Sequence, residues 1–169
     1  MTLEDFLALP EEKPALELID GKVCQKPMAK YDHSTAQVGM VIALHEHPAT
    51  AGGRIMTELG LNAPDAALPN HRVPDLAYFR SGRQLSKPYP SEPPDLAVEI
   101  RSEGQTVAQQ LGRLAFLREQ GTGCTILIDP ITRTVHVHDH GHEWTAKSGE
   151  TVTLGGLDGF TFAVAKLFE

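Results

Sequence analysis

The stretch Pro94-Asp95-Leu96-Ala97-Val98-Glu99-Ile100-Arg101-Ser102 carries the most information in the chain. Side chains of a strand alternate between its two faces. Leu96, Val98 and Ile100 therefore share one face, which is apolar, and Ala97, Glu99 and Arg101 share the other. A short buried strand seldom carries a carboxylate and a guanidinium without a reason, because an unpaired buried charge is costly. Upstream, Arg72-Val73-Pro74-Asp75-Leu76-Ala77-Tyr78-Phe79 opens another strand on a carboxylate, 24 residues before Glu99. Two acidic groups at neighbouring strand ends can hold a hard divalent cation such as Mg²⁺ or Mn²⁺, which prefers oxygen donors. Such an ion activates water and stabilises charge on a phosphate. A simpler account stands beside this one. Pro-Asp occurs three times, at 64–65, 74–75 and 94–95, and Asp often only caps a turn. Glu99 and Arg101 could likewise form a plain same-face ion pair.

Outward from these strands, residues 2–9 read as a short helix with Thr2 as N-cap and Pro10 as its stop. Residues 16–23 read as a hairpin turning at Asp20-Gly21. Helices are expected at 33–46 and 106–120, with Val107, Leu111 and Leu114 forming the stripe of the second. Strands are expected at 54–62, 75–79, 96–101, 125–128, 134–138, 143–146 and 151–154. The Pro-, Ser- and Arg-rich segment 80–95 reads as a surface loop. This order predicts a mixed α/β (α+β) architecture, a central mixed sheet flanked by helices, in one domain over 1–169.

The composition is that of a globular chain: 169 residues, 41% hydrophobic and 22% charged. No apolar run approaches the ~20 residues of a membrane span. The N-terminus lacks the pattern of a secretory signal, so the expected location is the cytoplasm. Net charge is −7, which argues against a broadly basic nucleic-acid surface. A local basic groove would have to draw on Arg72, Arg80, Arg83, Lys87, Arg101, Arg113 and Arg118. Cys24 and Cys124 fit neither a disulfide framework nor a zinc motif and are expected as inert core residues. His136, His138, His140 and His142 alternate, which on one strand face could clip a transition metal, but the run crosses the turn at Gly141 and has no fixed acidic or Cys partner, so solvated hairpin decoration is the expectation. No Gly-rich phosphate loop, nucleophile elbow or zinc Cys cluster occurs.

Several further pieces, in order and spacing, carry a family likeness. They are Leu3-Glu4-Asp5-Phe6-Leu7-Ala8-Leu9-Pro10, Leu16-Glu17-Leu18-Ile19-Asp20-Gly21-Lys22-Val23, His33 at a helix start, Arg72-Val73-Pro74-Asp75, Pro93 through Ile100, the helix ending at Gly121, Leu127-Ile128-Asp129-Pro130 and Leu157-Asp158-Gly159-Phe160. Together they resemble the Uma family of restriction-endonuclease-like proteins, within the PD-(D/E)xK nuclease superfamily. The resemblance implies a restriction-endonuclease-like core and hydrolysis of DNA phosphodiester bonds with Mg²⁺ or Mn²⁺. It puts Asp75 and Glu99 in the places of the acidic metal ligands, with Glu17 as a possible third carboxylate. Glu17 could equally be an exposed strand residue facing Lys22. His33 could serve as a substrate contact or only as a helix-start residue. A homodimer would suit an enzyme that cuts both strands.

The sequence also departs from that family. The motif's Lys, two residues after the second acid, is replaced by Arg101. Its alternative place on the following helix, eight residues before the terminal Gly, holds Arg113. Arg stays protonated and cannot serve as a base, though it can neutralise a phosphate. Ser102-Glu103-Gly104 stands where relatives continue with Ser-Pro-Ser. The sequence therefore supports a metal-dependent endonuclease or a catalytically silent regulatory protein that retained the fold. No motif supports a metabolic hydrolase.

Overall fold

The computed structural model describes residues 1–169. The first helix, α1 (Leu3–Leu7), starts in a capping box: Thr2 Oγ1 accepts from the Asp5 amide, and the Asp5 carboxylate accepts from the Thr2 amide. Strands β1 (Leu16–Ile19) and β2 (Lys22–Gln25) form the expected hairpin. Its corner residues Asp20 and Gly21 have φ of 49° and 78°, as a primed turn requires. Helix α2 (Tyr31–Glu46) begins two residues earlier than the sequence suggests.

The single strand expected over 54–62 is two. β3 (Arg54–Thr57) stops at Glu58, which adopts a left-handed φ of 51°, and β4 (Leu61–Asn62) belongs to a different sheet. Beyond β5 (His71–Arg72) come the central strands β6 (Leu76–Phe79) and β7 (Leu96–Ile100), with an irregular segment between them. Helix α3 (Val107–Glu119) has its own capping box from Thr106 and Gln109. Then follow β8 (Cys124–Asp129), β9 (Thr134–Asp139), β10 (His142–Lys147), β11 (Thr151–Leu154) and β12 (Phe160–Ala163), and a last 3₁₀ turn over Val164–Phe168.

Six strands form the main sheet in the order β10-β9-β8-β7-β6-β3; only β7 and β8 run parallel. The order is thus a central mixed sheet. Period-two alternation divides its faces. Leu76, Tyr78, Leu96, Val98, Ile100, Ile126 and Ile128 look into the larger core, closed by Ala36, Met40 and Leu44 of α2 and by the β11–β12 hairpin. Gly39 of α2 faces the terminal 3₁₀ turn so closely that a Cβ would sit 3.0 Å from Leu167 Cα. On the other face, Ala77, Phe79, Ala97 and Leu127 meet Leu114 and Leu117 of α3. Val107 and Leu111 pack at the margin of this smaller core. The four-stranded sheet β2-β1-β5-β4 stands beside it. No helix is long and apolar enough to cross a membrane.

Cys124 is fully buried as expected, but Cys24 is exposed, because all of β2 is an uncovered edge.

Candidate active site

Strand β6 runs antiparallel to β7 with Leu76 opposite Val98. Continuing that register by one residue sets Asp75 opposite Glu99, and directly opposed side chains share a face. That face is the one covered by α3, on which Ala77 and Ala97 also lie. The small alanines leave room, and polar groups fill the sheet end instead of hydrocarbon.

Asp75 and Glu99 are both buried, at 2% and 3% exposure. Asp75 Oδ2 accepts the Ile100 amide at 2.6 Å, which ties it across the strand pair. Glu17 of β1 is equally buried and its Oε1 accepts the Val73 amide at 2.7 Å. It does not face Lys22 across the hairpin; its register partner is Cys24. Arg113 reaches down from α3 between two carboxylates. Its Nη1 and Nη2 donate to Glu17 Oε2 and Oε1 at 2.7 and 2.8 Å, and its Nε donates to Glu99 Oε1 at 3.0 Å. The structure therefore brings Asp75, Glu99, Glu17 and Arg113 to one place.

Arg101 is elsewhere. β7 ends at Ile100, and Arg101 turns its guanidinium to Asp129 Oδ2 at 2.8 Å and to the Gln105 carbonyl at 2.9 Å. The same-face geometry expected for Glu99 and Arg101 fails because the strand no longer continues there. The remaining arginines do not assemble a groove either. Arg80 and Arg83 serve Asp95 at the opposite end of the strand pair, Arg72 is buried against the Phe116 ring, and Arg118 binds Thr125.

The cation that the sequence did not flag is Lys26, just after β2. Its Nζ lies 2.6 Å from Asp75 Oδ1, 2.9 Å from the Val73 carbonyl and 3.1 Å from Glu58 Oε2. Burial opposes its charge, but Asp75, Glu99 and Glu58 together hold the ammonium well above its ordinary range. It is therefore protonated at neutral pH. Glu58 arrives through the left-handed break after β3. His33 is buried in the first turn of α2, with Nδ1 3.1 Å from Ser102 Oγ and Nε2 3.6 Å from Asp75 Oδ1. Gln37, one turn on, donates to the Asp75 carbonyl at 2.7 Å. All these groups border one cleft of about 600 Å³, with Lys13 also on its wall.

The charges do not balance. Four carboxylates (Glu17, Glu58, Asp75, Glu99) share ion pairs with two cations (Lys26, Arg113), and the buried Arg72 guanidinium is the third positive charge near Glu17 and Glu99. Burial raises Glu17 but the Arg113 fork outweighs it, and its carboxyl stays below the usual range. Glu99 is the group left short. Burial pushes it up to about 8, against the pull of Arg113 and with the help of Asp75. Its Oε2 receives no hydrogen bond from the protein, although the side chain lines the cleft. An oxygen-rich pocket in which carboxylates outnumber cations, with an unshared carboxylate oxygen, fits a hard divalent cation. Asp75 and Glu99 would hold it. His33, Glu58 and Asp75, whose donor atoms lie within 4.8 Å of one another, form a neighbouring donor set that shares Asp75.

A family model, Uma2, with the description "Putative restriction endonuclease", matches residues 3–165. A crystal structure whose title describes "a putative nuclease belonging to DUF820 from Anabaena variabilis ATCC 29413" is similar in fold, with a TM-score of 0.83 and 27% identity over 99% of this chain and 97% of that one. A cryo-electron-microscopy structure titled a DrdV-DNA complex is 21% identical, with a TM-score of 0.41, over 70% of this chain and 10% of that one. No curated protein matches the chain.

Proposed function

The chain belongs to the Uma2 family, and from that premise we propose that it hydrolyses DNA phosphodiester bonds with one divalent ion, Mg²⁺ or Mn²⁺, held between Asp75 and Glu99. The observation that carries this is Glu99: a buried carboxylate with an unshared oxygen, pushed up to about 8 beside a second buried acid. Such a group gains most from a cation. When bound, the ion would lower the pKa of a water and offset charge on the phosphate.

The chain's own residues do the rest. Arg113 fixes the orientation of Glu99 through the fork it shares with Glu17. The raised affinity of Lys26 for its proton makes it a fixed positive charge beside Asp75, suited to a phosphate oxygen and not to accepting a proton. Arg113 is likewise held protonated by Glu99 and Glu17, against burial. Proton acceptance therefore falls to the carboxylate Glu58 at the rim or to the His33 imidazole. Lys26 places beside Asp75 the side-chain ammonium that the positions of Arg101 and Arg113 lack. A second copy of the chain would bring a second cleft to the other DNA strand.

One feature favours a silent scaffold: Lys26 and Arg113 already neutralise part of the charge on Asp75, Glu17 and Glu99. A plasmid-nicking assay separates the two readings. An enzyme converts supercoiled DNA to open circles with Mg²⁺ or Mn²⁺ and stops in chelator. A chain that leaves supercoiled DNA intact with either metal is the scaffold.

A further inference from the structure

At the far end of the same strands, three side chains converge that the nuclease site does not use. Cys124 opens β8, Asp139 closes β9 and His140 is the first corner residue of the β9–β10 hairpin. Cys124 Sγ lies 3.3 Å from Asp139 Oδ1 and 3.8 Å from His140 Nδ1, and His140 Nδ1 lies 2.9 Å from Asp139 Oδ1. The Gly156 amide also donates to that oxygen at 3.1 Å. Three groups thus crowd one carboxylate oxygen, while its twin Oδ2 receives only the Gly156 amide.

The surroundings are shaped around this imidazole. His140 stands at φ 46°, a left-handed corner that favours Gly, Asn or Asp. A Cβ on Gly123 would come 2.6 Å from His140 Nε2, and one on Gly156 would collide with both His140 and Asp139. Two glycines therefore admit the ring over the thiol. A nucleophilic role for Cys124 does not fit. The residue is fully buried, and burial together with the Asp139 hydrogen bond pushes its thiol up to about 12.

We propose that Cys124 Sγ, Asp139 Oδ1 and His140 Nδ1 form a site for one zinc-class transition-metal ion. Atoms with these separations lie on a circle of radius about 2 Å, so one ion can stand at about 2.0–2.3 Å from all three, the usual zinc distances to O, N and S. The mixed S, N and O donor set selects a borderline-soft ion over Mg²⁺, the reverse of the all-oxygen pair Asp75 and Glu99. Binding expels the thiol proton, and the neutral imidazole meets the ion through the Nδ1 lone pair with its proton on Nε2. The ion pins the start of β8, the β9–β10 corner and, through Gly156, the turn before β12. Its place is structural, and it does not depend on the nuclease proposal.

Co²⁺ titrated into the metal-free full-length chain tests this, because thiolate-bound cobalt has a charge-transfer absorption that histidine-only sites lack. The expected result is one Co²⁺ per chain with that band, displaced by Zn²⁺ and lost in Cys124→Ser. His140 is more than half exposed, so His140→Ala should fold and also lose the band. Cys24→Ser should keep it. No thiolate band, a band indifferent to His140→Ala, or one that depends on Cys24 overturns the proposal.

Discussion

Pro74-Asp75 and Pro94-Asp95 are the same dipeptide in the same setting, each immediately before a central strand. Because β6 and β7 are antiparallel, the two corners fall at opposite ends of the pair, and their chemistry diverges. Asp95 is a loop anchor. Its Oδ2 accepts the Arg80 amide at 2.8 Å and Arg83 Nη1 at 3.0 Å, and those partners hold down the irregular segment after β6. Asp75 instead lies opposite Glu99, beneath α3 and the start of α2, where four carboxylates share two cations. One corner is a satisfied structural group; the other is left with surplus negative charge. The dipeptide does not decide this. What comes to meet it does.

Neutralising each corner in turn should have opposite outcomes. Asp75→Asn should abolish divalent-metal-dependent nicking, and Asp95→Asn should leave it near the wild-type rate. Equal loss in both would make the two corners alike and remove Asp75 as a metal ligand.

The next effect is on stability. Arg113→Met leaves Glu17 and Glu99 buried without their shared cation, and breaking such a pair costs about 3–5 kcal/mol. Urea unfolding should show that loss, with partial recovery in Arg113→Lys. A neutral result would mean that the fork is not maintained in solution. Asp95→Ala should cost less, about 1–3 kcal/mol, by leaving an amide and a guanidinium without their acceptor.

The smallest effect is a slope with pH. Folded Glu99 keeps its proton up to about 8, whereas an unfolded Glu releases it near 4.5. Between those values the folded chain binds the extra proton, so this group makes the metal-free protein less stable as pH rises. His71, lowered by burial to about 4 against an ordinary 6.5, acts in the opposite sense between those two values. The Glu99 contribution should therefore be read between about 6.5 and 8, as a slope absent from Glu99→Gln. An identical slope in both proteins would mean that Glu99 titrates normally.

Much of this was legible in the sequence, for identifiable reasons. Period-two alternation put Leu96, Val98 and Ile100 on one face and Glu99 on the other, and the sheet keeps that division. Helical spacing brought Leu114 onto the sheet with Arg113 beside it, at the edge of the site. Arg101 was misplaced because alternation was carried one residue beyond the strand. Lys26 gave no signal at all: a lysine after an exposed hairpin strand reads as solvated, and only the packing of β1 beside β5 brings it to Asp75. Glu58 was hidden in the same way, inside a strand that breaks at its own left-handed residue. The cluster at Cys124 was missed because its members come from two strands and a corner. The turn at Gly141, which interrupts the alternation, assigned His140 to decoration, and spacing alone fixes no Cys or acidic partner for it.

Anomalous diffraction from a crystal soaked in Mn²⁺ would show whether Asp75 and Glu99 hold one divalent ion between them. The expected result is a manganese peak bonded to both carboxylates, with the Lys26 ammonium displaced from Asp75 Oδ1 or sharing that oxygen. A peak only at other sites, with Lys26 and Arg113 keeping their contacts to Asp75 and Glu99, would contradict it.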